Sequence, residues 1–403
     1  MASLQASNQV PQVSQPAASA RVILFITVFI DLLGFGIVIP LLPMFATRLG
    51  ISFGGIGAIM AIYSLAQFIF APILGRISDR IGRRPVIMIG LLGSSVGYLI
   101  YGFAGSFIGL FLSRLVHGAC AATISTAQAY IADTTDESNR ARGMGMIGAA
   151  FGLGFVVGPA IGGLLGQYGL RIPGFAAAIL TFANLIFAAM RLPESHQPEA
   201  DARIDASVIV APIRDLPSQL FMHHLARLFS VAFLTTFALA AFETTFAIMI
   251  PLVYGYGAMG IGALLAFAGL MQALAQGYLV GKLVRRIGEV KLLMTGIIIL
   301  ALGLAPMANL PTPSTLLLAL AMLSLGYGFA SPTIASLISK RTEQALEGEA
   351  LGINQSASSM ARILGPIAGG LAYGTIGTSA PYVGGAAVAV MAFILARGID
   401  ADR

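Results

Sequence analysis

Apolar runs of about 20 residues follow one another along the chain, separated by short polar turns. Each run is long enough to cross the roughly 30 Å hydrocarbon layer of a bilayer as a helix. Twelve spans are predicted, over residues 22–46, 54–75, 86–105, 107–132, 143–166, 172–191, 225–254, 258–280, 290–308, 313–338, 351–374 and 379–396. An even number of crossings puts both termini on one side. The longest polar interruption, 193–220, opens with PESHQPEADARID and reads as a cytoplasmic linker. It divides a six-helix bundle at 21–192 from a second at 221–398. Residues 1–20, with Gln, Ser and Pro, read as a disordered tail, and 399–403 as a short second tail. The expected fold class is an all-α membrane protein with twelve transmembrane helices in two pseudo-symmetric bundles.

Composition agrees with this. The 403 residues are 57% hydrophobic, with a mean hydropathy of +0.88, more apolar surface than a soluble domain needs. The 48 glycines suit close helix contact in lipid. The one cysteine, Cys120, excludes an intrachain disulfide and argues against a Cys-based metal site. The net charge of +6 raises the question of nucleic acid, but the basic residues are spread over several turns. Loops on the terminal side hold most of them, Arg76, Arg80, Arg83, Arg84, Lys282, Arg285, Lys340 and Arg397 included, while the opposite side holds Arg48 and Arg171. Loop Lys and Arg stay cytoplasmic, so both termini are expected in the cytoplasm. The charges are topology determinants, and no nucleic-acid partner is expected. No Walker A sequence, HExxH or metal-spaced cluster appears, so no enzyme, metal or cofactor is predicted. A gradient must then supply the energy. One proton moving across 100 mV supplies about 2.3 kcal/mol.

Internal repeats support two halves. GPAIGG at Gly158–Gly163 returns as GPIAGG at Gly365–Gly370, an offset of 207. GRISDRIGRRPV from Gly75 has a thinner copy from Gly277, and DLLGFGIVIPL from Asp31 a faint echo from Glu243. Two helical halves around a midplane site are a common transporter plan.

These residues resemble the major facilitator superfamily over essentially the whole chain. GRISDRIGRRPV matches its signature turn between the second and third helices. LSRLVHGA at Leu112–Ala119 resembles its fourth-helix motif with a buried arginine. GFVVGPAIGG at Gly154–Gly163 resembles the fifth-helix element of its antiporters, and DLLGFGIVIPLLP the first-helix motif of twelve-helix drug:proton antiporters. The stretch from Ala127 to Gly163 is similar to that of bacterial tetracycline efflux pumps. The resemblance implies a monomeric, proton-coupled exporter of amphiphilic drugs in the bacterial cytoplasmic membrane; the alternatives are an exporter of an endogenous metabolite, sugar or lipid on the same fold, or a non-transporting sensor derived from it. One departure stands out: Gly97 lies where those pumps carry a third-helix acid.

Two carboxylates fall inside spans, Asp31 and Glu243. A charged group at the bilayer centre costs at least about 3 kcal/mol, so each needs a reason. Asp31 lies about 15 Å beyond Arg21 along a helix, near the midplane. It is the candidate proton carrier, with Arg114 as its expected partner. Arg114, His117, Ala121, Ser125 and Gln128 recur at helical spacing and should face a central cavity. His117 is either a packing histidine or a second proton carrier. Glu243, about 24 Å along its helix from Arg227, is a gate acid or a vestibule acid. Arg362 sits mid-span with Gln355 on its face, and should pair with carbonyls, Glu243 or an anionic substrate. Tyr63 with Gln67, and Gln272 with Gln276, are i,i+4 pairs that contact substrate or bond between helices.

Gating residues are expected at Gly158, Pro159, Gly365 and Pro366, where Gly permits close approach and Pro kinks a helix. A second set is Gly75, Asp79, Arg80, Arg83 and Arg84, read as a cytoplasmic latch from the second helix to the eleventh. The copy carries Gly281 in place of Asp79. Asp79→Asn should therefore impair transport while substrate affinity stays near wild type. Gly281→Asp should be tolerated, and equal transport loss from both changes would argue against an asymmetric latch.

Overall fold

The computed structural model describes residues 18–135, 137–195, 225–309, 312–342 and 346–399. The expected N-terminal tail up to residue 17, most of the linker and residues 400–403 lie outside them. Helix α1 begins at Ala18, inside the stretch read as tail (Ala18–Val38). It passes through a 3-10 turn, Ile39–Leu41, into α2 (Leu42–Arg48). Pro40 and Pro43 withhold donors there and loosen the helix without ending the pass. Ser52 caps α3 (Phe53–Ile81) by accepting from Gly55 N at 3.3 Å. The first half continues with α4 (Arg83–Phe103), α5 (Phe107–Cys120), α6 (Thr123–Thr134), α7 (Glu137–Gly166) and α8 (Ile172–Arg191). Here α5 and α6 are two halves of one broken pass.

The second half opens with α9 (Ala226–Tyr254). Helix α10 (Ala258–Leu274) runs through a π-turn, Ala275–Leu279, into α11 (Val280–Ile287). Then come α12 (Glu289–Leu304), α13 (Pro313–Lys340), α14 (Glu347–Thr375) and α15 (Ala380–Arg397). That makes twelve passes, and no strand among the described residues. Ten passes are long and apolar enough to cross a membrane by length and composition. Helix α12 falls short in length, at 16 residues. Helix α14 falls short in hydropathy, because it carries Asn354, Gln355, Ser358 and Arg362 in mid-pass.

Within the first bundle α1 packs on α7 and α8, and α4 on α5 and α8. In the second, α9 packs on α14 and α15, and α12 on α13 and α15. The two most extensive crossings between the bundles are α3 with α14 and α7 with α10, and α2 and the Ile39–Leu41 turn add smaller contacts to α9 and α10.

The repeated Gly-Pro elements build both crossings, and they do so symmetrically. A Cβ on Gly158 would lie 2.6 Å from Gly36 Cα in α1, and one on Gly162 would strike Ile37 O. A Cβ on Gly163 faces the other bundle, 2.8 Å from Ala258 O and 2.9 Å from Gly262 Cα. In the second half, Gly365 meets Phe237 O at 2.8 Å and Gly369 meets Ala241 Cα at 3.0 Å, both in α9. Gly370 faces across to Phe53 in α3. Each motif thus uses two glycines on the first helix of its own bundle and a third on the opposite bundle. Backbone meets backbone there, a packing mode that lipid-embedded helices use in place of hydrophobic association.

These close contacts lie toward the end of the molecule away from the termini. Phe53 and Tyr373 stack edge-on at 4.9 Å across the α3–α14 crossing at that end. Toward the terminal end, added carbons on Gly75, Gly145, Gly148, Gly277, Gly281, Gly348 and Gly352 would meet nothing within 4 Å. Among the described residues, the close glycine contacts between the bundles are thus at mid-depth and the far end, and none of these terminal-end glycines makes one.

At the terminal end the charged turn is held within its own bundle. Arg83 pairs with Asp79 and, at 2.8 Å, with Asp133 of α6, and it donates to Ser78 Oγ at 2.8 Å. Glu194 folds back from the start of the linker and accepts from Arg83 N (2.8 Å) and Arg84 N (3.2 Å). It thereby caps the donor end of α4, where a carboxylate is favoured. Arg84 Nη2 donates to Ala189 O at 2.5 Å. The turn ties together α3, α4, α6 and α8.

A side chain at Gly262 should disfavour the far-end contact, because its Cβ would overlap Pro159 O and Gly163. Labels at Tyr168 and Ile376, 76% and 79% exposed at that end on opposite bundles, report the gap. In a Cys120→Ser background, spin-label distances between these sites should lengthen on Gly262→Val.

Candidate functional site

A cavity of about 250 Å³ lies between the bundles at mid-depth. From the first bundle it is lined by Asp31, Tyr63, Gln67, Arg114, His117 and Pro159. The second bundle contributes Glu243, Gln272, Arg362 and Pro366. Much of the remaining wall is aromatic or apolar, with Phe35, Met60, Phe151, Phe155, Phe242 and Tyr327.

Arg114 is 2% exposed and projects from α5 into a ring of aromatics. Its guanidinium carbon stands 4.2 Å from the Tyr63 ring centroid and 5.5 Å from that of Phe35. A weakly hydrated, planar cation tolerates such a box better than an ammonium would. Arg114 Nη1 lies 3.3 Å from His117 Nδ1, and His117 Nε2 lies 3.3 Å from Tyr98 Oη. Arginine has only donors, so Nδ1 accepts. Nε2 then carries the proton and donates to Tyr98. Both ring nitrogens are engaged, and His117 is held as an anchor in its neutral Nε2–H form.

Asp31 is not the partner of Arg114 here. Among the described residues no ion pair joins them within 4.0 Å. The break in the fourth pass separates them. Ala121, at ψ 51°, leaves the helix after Cys120, and α6 restarts at Thr123. Gln67 Nε2 takes up the Ala121 carbonyl at 3.2 Å. Thr123, the first residue of α6, stands beside the Asp31 carboxyl, as does Ser94 of α4. No side chain caps that half-helix. Asp31 thus faces the positive end of α6 at mid-membrane, while Arg114 turns into the aromatic box. Asp31 Oδ1 is buried and lacks a hydrogen-bond partner of good geometry.

The same break alters the expected stripe. Arg114, His117 and Ala121 line the cavity, but Ser125 and Gln128, beyond the break, do not. A second irregularity acts likewise on α10. The π-turn inserts extra rotation after Leu274, so Gln272 lines the cavity and Gln276 is turned off it. Gln355, two turns from Arg362 toward the terminal end, also lies outside the lining. Arg362 faces Glu243 and Tyr63, without an ion pair to Glu243 within 4.0 Å.

Sequence reasoning missed Phe35, which contacts Tyr63, His117 and Phe155 at 5.3, 6.0 and 5.7 Å. Its position four residues after Asp31 on one helical face was the available signal. Also missed was Tyr327, whose hydroxyl lies 3.5 Å from Thr236 Oγ1.

The model of the Major Facilitator Superfamily matches residues 24–346 and 260–401. Tetracycline resistance protein, class C, of Escherichia coli is 32% identical over 358 residues, covering 87% of this chain and 88% of that protein. Multidrug resistance protein 2 of Bacillus subtilis is 30% identical over 359 residues, covering 87% and 89%. The crystal structure of the human organic anion transporter MFSD10 superposes with a TM-score of 0.69 at 26% identity, covering 95% of this chain and all of that one. The chain belongs to the major facilitator superfamily, and is a multi-pass membrane transporter rather than an enzyme.

Proposed function

We propose that the protein is a proton-coupled antiporter that exports amphiphilic, ring-bearing compounds across the bacterial cytoplasmic membrane by alternating access. It acts as a monomer in lipid, with both termini in the cytoplasm, and needs no cofactor. The observation that carries the reading is Asp31: an acid on the cavity wall at mid-membrane, with a buried oxygen and no cationic partner within 4.0 Å.

The exchange follows from charge. With Asp31 ionised, the cavity holds two carboxylates and two guanidiniums and is formally neutral. A proton on Asp31 leaves one excess positive charge, which repels a cationic substrate. A cation that binds favours the ionised acid and expels the proton, so the two compete for one site. Arg114 supplies the fixed charge, and Tyr98 and His117 hold it in place. Glu243 and Arg362 present the second bundle's charges to the same substrate. Rocking at the glycine crossings would then open one end and close the other.

The wall favours an amphiphile over a sugar. Glutamine amides at the cavity come from Gln67 and Gln272, whereas Phe35, Phe151, Phe155, Phe242, Tyr63 and Tyr327 supply aromatic faces. Sugars need many amide and hydroxyl partners; flat apolar cations need ring faces. The resistance proteins of Escherichia coli and Bacillus subtilis are in keeping with this choice.

Two outcomes check the proposal. In proteoliposomes, substrate-driven proton movement should vanish in Asp31→Asn; unchanged proton stoichiometry would remove Asp31 from the mechanism. Phe155→Ala should weaken binding of aromatic cations about tenfold, corresponding to ~1.4 kcal/mol of lost ring contact. Calorimetric titration of a chemically diverse panel reads this directly, and tight sugar binding with indifference to Phe155 would favour a metabolite exporter.

A further inference from the structure

The charged turn of the second bundle copies that of the first with its charges reversed. Gly82 ends α3 at φ 104°, ψ 161°, and Gly288 ends α11 at φ 81°, ψ 163°. Matching these two glycines sets Gly281 opposite Gly75, Arg285 opposite Asp79 and Glu289 opposite Arg83. Each turn ties the third pass of its bundle to the fourth. In the first bundle Arg83 of α4 pairs with Asp133 of α6 at 2.8 Å. In the second, Glu289 of α12 pairs with Lys340 of α13 at 2.9 Å and accepts from Ser336 Oγ at 2.6 Å. The reversal leaves the two turns with different surplus charge. Asp79, Asp133 and Glu194 gather around Arg83 and the start of α4. The acid of the second turn, Glu289, is spent on Lys340. Lys282, Arg285, Arg286 and Lys291 are exposed there, and among the described residues none of them has an ion pair within 4.0 Å.

These cations continue an apolar stripe. Leu279, Val280, Leu283 and Val284 pack against Leu292 and Phe329 of their own bundle, which turns Lys282, Arg285 and Arg286 outward. Earlier on the same pass Leu270, Leu274 and Tyr278 recur every fourth residue and are 44, 45 and 62% exposed. Helix α10 presents Gly269 to α7, where an added Cβ would lie 2.7 Å from Phe155 O, and Gln272 to the cavity. Leu270, Leu274 and Tyr278 lie on neither of those faces, so they meet the bilayer. Lys282 follows one turn beyond Tyr278, with Nζ 5.5 Å from its ring centroid, and Arg286 one turn beyond Lys282. From mid-membrane outward the stripe therefore reads leucine, leucine, tyrosine, lysine, arginine.

That order matches a phospholipid: acyl chain, glycerol level, phosphate. Tyrosine rings favour the interface, and cations next to a membrane pass attract anionic headgroups. Topology alone asks for cations somewhere in the loop. It gives no reason for them to be unpaired and in line with exposed leucines. We propose that the α10–α11 stripe is a binding site for an anionic phospholipid of the leaflet at the terminal end. Its phosphate lies against Lys282, Arg285 and Arg286, and an acyl chain runs along Tyr278, Leu274 and Leu270. The matching turn of the first bundle disfavours such a headgroup, because Asp79, Asp133 and Glu194 already stand there. The site is separate from the cavity, and its occupancy does not depend on Asp31.

Native mass spectrometry of the full-length protein in detergent tests the site. The protein is titrated with phosphatidylglycerol or with phosphatidylcholine of the same acyl chains. The wild type should retain one phosphatidylglycerol about tenfold more tightly than phosphatidylcholine. The triple change Lys282→Gln, Arg285→Gln and Arg286→Gln should remove that preference. The double change Arg285→Lys and Arg286→Lys keeps the charge and should keep the preference. A charge-matched control, Arg76→Gln with Arg191→Gln and Arg397→Gln, takes three exposed cations from other turns and should keep it too. Equal retention of the two lipids by the wild type overturns the proposal, and that comparison needs no variant to fold. Persistence of the preference in the α11 triple variant, or its loss in the control or the lysine variant, overturns it as well.

Discussion

Hydrocarbon offers no partner to a polar group, and most of this structure follows from that constraint. Every donor, acceptor and charge within the bilayer must find its match in the protein or in trapped water. The passes are helices for this reason. The same rule sends Arg114 into a box of Phe35, Tyr63 and His117, and hands the Ala121 carbonyl to Gln67 where the fourth pass breaks. It also makes Asp31 conspicuous, because Asp31 is left with a buried oxygen that no protein group satisfies. A site that exchanges a proton requires an acid that is solvated but not locked in an ion pair.

Close backbone contact is the second consequence. Helices in lipid gain nothing by burying apolar surface against each other, so their association depends on how near they can approach. The two Gly-Pro elements achieve this twice, once on the first helix of their own bundle and once across the interface. Both crossings bring backbone against backbone at the glycines, with side chains such as Phe53 and Tyr373 packed beside them at the far end. Within each bundle the passes are tied by many contacts of their own. In the first, Arg83, Asp79, Asp133 and Glu194 bind four passes into one end plate.

The two bundles are alike in architecture and unlike in chemistry. The first sets Asp31 beside Ser94 and Thr123 and Arg114 over the Tyr63 ring, while the second sets Glu243 and Arg362 on the facing wall. The pseudo-symmetry of the fold therefore divides the labour. One half carries the acid and the groups around it, and the other contributes Glu243, Arg362 and much of the apolar wall.

What the amino-acid sequence determined by itself was whatever depends on local composition and period. The twelve passes, the class of fold, the charged turns and the repeated Gly-Pro elements were legible, because runs of apolar residues and duplicated glycines need no tertiary information. Residues placed by an unbroken helical period were legible as well: Tyr63, Gln67, Arg114, His117, Gln272 and Arg362 do meet at one cavity. What only the tertiary structure decided was everything beyond a helix irregularity. The break at Ala121 turned Gln128 away and parted Asp31 from Arg114, and the π-turn at Ala275–Leu279 did the same to Gln276. Periodicity assumes 3.6 residues per turn, and a single break or bulge rotates every later side chain.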